Sequence, residues 1–161
     1  MAVPDTVRLG VAELYAAYAD CIDDDRLEEW PNFFAADNCR YLITSRESHE
    51  AGLRHGIIYC GSHGMLVDRV MALRRASMFE PHRYRHIVGP ARVGKVADGG
   101  GIAEARANFL VVRIMHDGDS RLFATGRYLD RIAVGATPYR FIERVVVLDS
   151  QKVDTLLVIP L

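Results

Sequence analysis

Apolar residues recur at helical spacing in the first half of the chain and at alternate positions in the second, so the pattern splits into helices followed by strands. Val7, Val11, Leu14, Tyr15, Tyr18 and Ile22 share one face of a helix that follows Pro4, Asp5 and Thr6 and ends in Asp23-Asp24-Asp25. Those acids are expected to close that helix and cap the next. Leu27, Trp30, Phe33 and Phe34 form a short aromatic helix, brief or kinked because Pro31 sits in its middle. These aromatics read as core anchors. Arg40 to Thr44 and Ile57 to Cys60 are short strands on either side of a polar loop, Ser45 to Gly56. A third helix covers His63 to Ser77, with Leu66, Val70 and Leu73 inward and Asp68, Arg69, Arg74 and Arg75 toward solvent or a partner.

Beyond Pro81 the period is two. Arg83 to Val96 reads as one strand, Gly99-Gly100-Gly101 as a turn, Ile102 to His116 as a second strand and Asp117-Gly118-Asp119 as a hairpin turn. Leu122 to Val134 and Tyr139 to Leu148 return, with Gly135 to Pro138 between them. Long strands joined by tight turns predict a strongly curved, mostly antiparallel sheet that wraps the N-terminal helices, an α+β class in one domain over residues 1–161.

Composition narrows the function classes. Twenty basic against twenty-one acidic side chains, net charge −1, lack the footprint of a nucleic-acid binder. No run of eighteen apolar residues suggests a membrane span, and the N-terminus lacks a signal-peptide pattern. Cys21, Cys39 and Cys60, odd in number and without a Cys-x-x-Cys pair, read as reduced thiols of a cytoplasmic protein.

Six histidines are candidates for metal chemistry. A Rieske cluster needs Cys-x-His and Cys-x-x-His units, and neither occurs. His82-x-x-x-His86 is the tightest histidine pair, in an extended segment with only Glu80 nearby, which fits structural or interface histidines better than a mononuclear iron. No catalytic, cofactor-binding or metal residue is assigned. Asp24, Tyr41, His86 and Asp130 could supply an acid/base pair to an enzyme, although no spacing singles them out. Arg83, Tyr84, Arg85 and His86 alternate planar donors along a strand, a pattern suited to a subunit interface. The apolar run from Val153 to Leu161, ending Ile159-Pro160-Leu161, is expected to be docked on something, and removing Leu157 to Leu161 is expected to impair assembly more than folding of the isolated subunit.

The stretch GSHGMLVDRVMALRRASMFEPHRYRHIVGP, Gly61 to Pro90, together with YADCIDDDRLEEWPNFF upstream, resembles the small (beta) subunit of the Rieske-type aromatic-ring-hydroxylating oxygenases. The specific matches are Trp30-Pro31 with Phe33-Phe34, Gly64-Met65-Leu66 with Asp68-Arg69, Arg83 to Ile87, and Ile159-Pro160-Leu161. Gly89-Pro90 stands where many small subunits carry an Asn, which points to the terephthalate and salicylate branch of dioxygenases and hydroxylases. The resemblance implies a cystatin-like or NTF2-like cone and a structural, non-catalytic subunit. It implies a large (alpha) subunit partner that carries the Rieske [2Fe-2S] cluster and the mononuclear Fe(II), a trimeric core of small subunits in an α3β3 hexamer, and a reductase acting indirectly. The substrate would be an aromatic carboxylate, terephthalate ahead of salicylate. Interface residues on this reading are Arg83, Tyr84, Arg85, His86, Ile159 and Leu161. A free-standing NTF2-like isomerase or dehydratase, or a small-ligand binder of that fold, is the alternative.

Overall fold

The computed structural model describes residues 2–75, 79–97, 99–151 and 157–161. Helix α1, Asp5–Asp23, starts after Pro4, whose missing N–H is not needed ahead of the first turn, and Asp5 places negative charge at the positive end of the helix. It buries Val11, Leu14, Tyr15, Tyr18 and Ile22, and also Asp23. The chain then leaves the helix through Asp25, whose φ of 59° is left-handed, and enters a 3-10 helix over Leu27–Phe33. This helix absorbs Pro31 because it is short. No side chain caps it: the three acids pair elsewhere, Asp23 with His86, Asp24 with Arg26 and Asp25 with Arg74.

Strand β1, Arg40–Ser45, is followed by a short helix α2, Arg46–Glu50, within the stretch expected to be loop; Ser45 caps it by accepting from the Ser48 N–H. Then come β2, Ile58–Cys60, and helix α3, His63–Arg75, with Leu66, Val70 and Leu73 buried as expected. The predicted end of that helix at Ser77 lies outside the described residues.

The expected single strand from Arg83 to Val96 is two, β3 over His82–Val88 and β4 over Arg92–Val96. Both pair antiparallel with β5, Ile102–Met115, β3 along one half of it and β4 along the other. Pro90 has no N–H to give the ladder, so pairing breaks there after a last bond from Gly89 N–H to the Asn108 carbonyl at 2.8 Å. Strand β6, Ser120–Ala133, and β7, Arg140–Leu148, complete a sheet ordered β2-β1-β7-β6-β5-β3, with β4 also on β5. The pairings are antiparallel except β1 with β7, which run parallel. Register shifts in β4, β5 and β6 bend the sheet around α1 and the aromatic helix.

Inside the curve Trp30 and Phe34 are buried and Phe33 is half-buried against them, as anchors should be. The Trp30 ring meets Phe34 and Tyr41 edge-on at 5.6 and 5.1 Å between centroids, and its indole N–H donates to the Tyr18 hydroxyl at 3.1 Å. Trp30→Ala should therefore lower unfolding free energy by about 3–5 kcal/mol. Urea unfolding followed by far-ultraviolet circular dichroism tests this, and an unchanged midpoint would refute the anchoring role.

Candidate functional site

The interior of the curve holds an ion pair. Asp130 on β6 and Arg144 on β7 are direct cross-strand partners, both on the inner face and both buried. Arg144 grips Asp130 with two parallel bonds, Nε to Oδ1 at 3.0 Å and Nη2 to Oδ2 at 2.7 Å, and the Tyr15 hydroxyl of α1 also donates to Oδ2. Burial raises the Asp130 carboxyl above its ordinary range, with Arg144 and Tyr15 pulling the other way. Desolvation works against the Arg144 charge, yet Asp130 holds that guanidinium well above its ordinary pKa. Three donor groups, Arg144 Nε and Nη2 and the Tyr15 hydroxyl, converge on the carboxylate. Rings close the cage: the guanidinium carbon lies 3.9 Å from the Tyr128 ring centroid, 4.0 Å from Phe141, 4.3 Å from Tyr18 and 4.8 Å from Tyr15.

The end of the sequence packs against these rings and borders a cavity of about 740 Å³ lined by Leu73, Phe79, His82 and Ile159. Leu161 is fully buried; its N–H donates to the Tyr41 hydroxyl at 3.0 Å, and its main-chain oxygen accepts from Tyr41 at 3.0 Å and Tyr18 at 2.8 Å. Arg69 of α3 holds the approach through the carbonyls of Leu157 and Val158. Ile159 is buried too. The run expected to dock on something is thus seated on its own subunit at Ile159 and Leu161. Residues Val153 to Leu156 of that expectation lie outside the described residues.

A second buried polar pair joins α1 to β3. Asp23 accepts from the His86 backbone N–H at 2.8 Å through Oδ2 and contacts His86 Nδ1 at 2.6 Å through Oδ1. The four acid/base candidates are therefore not brought together: Asp24 is exposed beside Arg26, Tyr41 is committed to Leu161, His86 to Asp23, and Asp130 to Arg144. His82 bonds the Glu80 carbonyl through Nδ1 rather than joining His86. Among the described residues no three His, Cys, Asp or Glu side chains converge as a metal site would require.

Of the six residues assigned to an interface, the alternation of β3 turns Tyr84 and His86 inward and leaves Arg83 and Arg85 exposed. Ile159 and Leu161 are core residues. Of those six, Arg83 and Arg85 face outward, beside the exposed Ile87, and Arg85 Nη1 lies 3.9 Å from Asp23 Oδ2. Arg74 is not a free charge either, since it spans Asp25 and Glu28 and ties α3 to the turn below α1. The Asp23–His86 and Asp130–Arg144 pairs were missed. For Asp130 and Arg144 the signal was parity: each occupies the inward phase of its strand, with Tyr128 and Ile132 or Val146 as neighbours in that phase.

The chain as a whole is similar to known proteins. The family described as the ring hydroxylating beta subunit matches residues 17–155. The chain belongs to that family. The beta subunit is 43% identical over 153 residues to the terephthalate 1,2-dioxygenase terminal oxygenase component subunit beta 2 of a Comamonas species, covering 94% of this chain and 96% of the relative. It is 35% identical over 144 residues to the anthranilate 1,2-dioxygenase small subunit of Burkholderia cepacia, covering 89% and 88%. A crystal structure of a beta subunit assigned to an aromatic-ring-hydroxylating dioxygenase of Novosphingobium aromaticivorans superposes with a TM-score of 0.88 at 36% identity, over 98% of each chain. The cone is the cystatin-like or NTF2-like arrangement, and the chain is the small subunit of an oxidoreductase.

Two outcomes test the interior. Asp130→Asn should destabilise the beta subunit by about 3–5 kcal/mol, because it strands a buried guanidinium, whereas the double replacement Asp130→Leu with Arg144→Met should recover most of that loss. Equal loss in the single and double variants, measured by denaturant unfolding, would reject the pairing. The second concerns alkali. Burial raises Tyr15, Tyr18, Tyr41, Tyr84 and Tyr128 above the ordinary phenol value of 10.0. Above that pH the unfolded chain releases protons that the folded chain retains, so the stabilisation present below pH 10 is lost as pH climbs beyond it. Phenolate absorbance from these five should appear only together with loss of circular dichroism; reversible ionisation in the folded protein would contradict the burial.

Proposed function

We propose that this beta subunit, a single domain over residues 1–161, is a structural and non-catalytic component that supports an iron-bearing large subunit in an α3β3 hexamer. The observation that carries the reading is the combination of 43% identity to a terephthalate dioxygenase beta subunit with an interior occupied by its own ion pair, aromatic rings and Leu161. A small-subunit fold whose cone is filled in this way offers its partners an outer surface rather than a substrate pocket. The Rieske [2Fe-2S] cluster and the mononuclear Fe(II) belong on this reading to the large subunit, which receives electrons from NAD(P)H through a reductase. The substrate is an aromatic carboxylate, with terephthalate first and salicylate next; the relative that carries the name anthranilate dioxygenase supports the carboxylate class. Cys21, Cys39 and Cys60, all buried and unpaired, support a cytoplasmic location. The exposed Arg83 and Arg85 are proposed to lie at a subunit contact.

The experiment is co-expression with the large subunit, followed by mass and iron measurement. The expected result is a hexamer whose iron stays unchanged when any single histidine of the beta subunit is replaced, and which hydroxylates terephthalate when reductase and NAD(P)H are present. The beta subunit alone should bind no stoichiometric iron. Replacing Arg83 and Arg85 together with Ala should loosen assembly in size-exclusion chromatography. Tight iron binding by the isolated chain that is lost with His82 or His86 would overturn the proposal.

A further inference from the structure

The outer face of the sheet carries its charges in two different arrangements. In one row the register runs Lys95, Glu104, Arg131, Glu143, Arg40 across β4, β5, β6, β7 and β1, so that the sign alternates at every step. Every neighbour in that row is of opposite sign, and Arg40 closes it with a 2.7 Å ion pair to Glu143. Two residues further along the strands, Arg92 of β4 stands directly opposite Arg106 of β5. Across from Arg106 on β6 is Leu129, and one step beyond, Asn108 faces Arg127. Like charges placed opposite one another in a sheet repel. No acidic side chain is paired with Arg92, Arg106 or Arg127 among the described residues, and the Arg127 Nε–H reaches only the Asn108 amide oxygen at 3.3 Å.

The three guanidinium groups line a depression of about 240 Å³ with Pro90, Ala107 and Asn108, opened by the break between β3 and β4. A neighbouring groove of about 400 Å³ shares Arg92 and Arg106 but also carries Glu104, Arg131 and Glu143 of the alternating row, so the uncompensated positive charge is concentrated in the smaller depression. All three arginines are exposed. Planar guanidinium forks held on a rigid sheet are suited to carboxylates, which they bind two bonds at a time.

We infer that this arginine cluster is a docking surface for an acidic segment of the oxygenase large subunit. The inference rests on the small-subunit reading above. Charge complementarity selects the occupant. A second copy of this chain is a poor source of the required carboxylates, because in its densest acidic stretch Asp23, Asp24, Asp25, Glu28 and Glu29 already pair with His86, Arg26 and Arg74, which leaves Asp20 as the acid outside those pairs. Nucleic acid is disfavoured by the net charge of −1 and by the confinement of the cluster to three side chains.

The test uses the full beta subunit and its tagged large subunit in equilibrium binding. Charge reversal at all three positions, R92E with R106E and R127E, should weaken association by about tenfold or more at low salt. The wild-type affinity should itself fall between about 0.05 and about 0.5 M salt, and the variant should lose most of that salt dependence. The neutral set R92Q, R106Q and R127Q, with circular dichroism and unfolding matching wild type, should lie between the two and excludes misfolding as the cause. Wild-type association with no change in the reversed variant would overturn the docking surface while leaving the small-subunit reading intact; no association of the wild-type chains would overturn that reading itself. Loss of self-association by the isolated variant, or binding of inorganic phosphate, terephthalate or an oligonucleotide to the isolated wild type that the reversal abolishes, would assign the cluster to another occupant and overturn the inference.

Discussion

The fold depends on keeping one charge pair dry. Asp130 and Arg144 sit opposite each other at the centre of the curved sheet, where removing two ions from water is expensive and only good geometry offsets it. Here the geometry is supplied from every side: a two-bond fork from Arg144, a hydroxyl from Tyr15 on the helix, and four aromatic faces around the guanidinium. The supporting groups come from three elements, α1, β6 and β7. Helix α1 must therefore lie in one position against β6 and β7, and the pair acts as a registration device for the whole cone.

The same constraint explains what the interior can and cannot do. A buried acid near a histidine is the raw material of proton-transfer chemistry, and this chain contains both Asp130 and the Asp23–His86 pair. Yet every oxygen of Asp130 is saturated by donors from its own subunit, Tyr41 is committed to Leu161, and the indole of Trp30 is bonded to Tyr18. These pairings rigidify the core, while His86 Nε2, the Tyr128 hydroxyl and Arg144 Nη1 lie buried with no hydrogen-bond partner among the described residues. The alternation of the strands then puts the remaining charge on the opposite face, where Glu104, Arg106 and Asn108 of β5 point away from Ala103, Ala105 and Ala107. One strand thus serves a small-residue interior lining and an outer charged surface at the same time.

Much of this was legible in the residue pattern. The amphipathic spacing of α1 and α3, the aromatic anchors, the turn glycines with left-handed φ at Gly99, Gly100 and Gly118, and the long alternating strands all follow from local periodicity and turn chemistry. Motifs such as Arg83 to Ile87 carried the family. Less legible were features that need a neighbour distant in sequence. The break at Pro90 was visible as a missing donor, but alternation on both sides of it concealed the fact that β3 and β4 meet different halves of β5.

What the sequence alone determined is the order of elements, their amphipathic faces and the lineage, because each is written in residues a few positions apart. Tertiary structure decided which polar residues became partners. Asp23 read as a cap until β3 brought His86 to it, 63 positions on, and Tyr15 read as an ordinary core aromatic until β6 brought Asp130, 115 positions on. It also decided that Leu161 is enclosed by Tyr18 and Tyr41, and that three arginines from three strands share one depression. The physical reason is that periodicity specifies which face a side chain occupies, whereas the identity of what it meets there is set by strand register and by the curvature that folds distant segments onto one another.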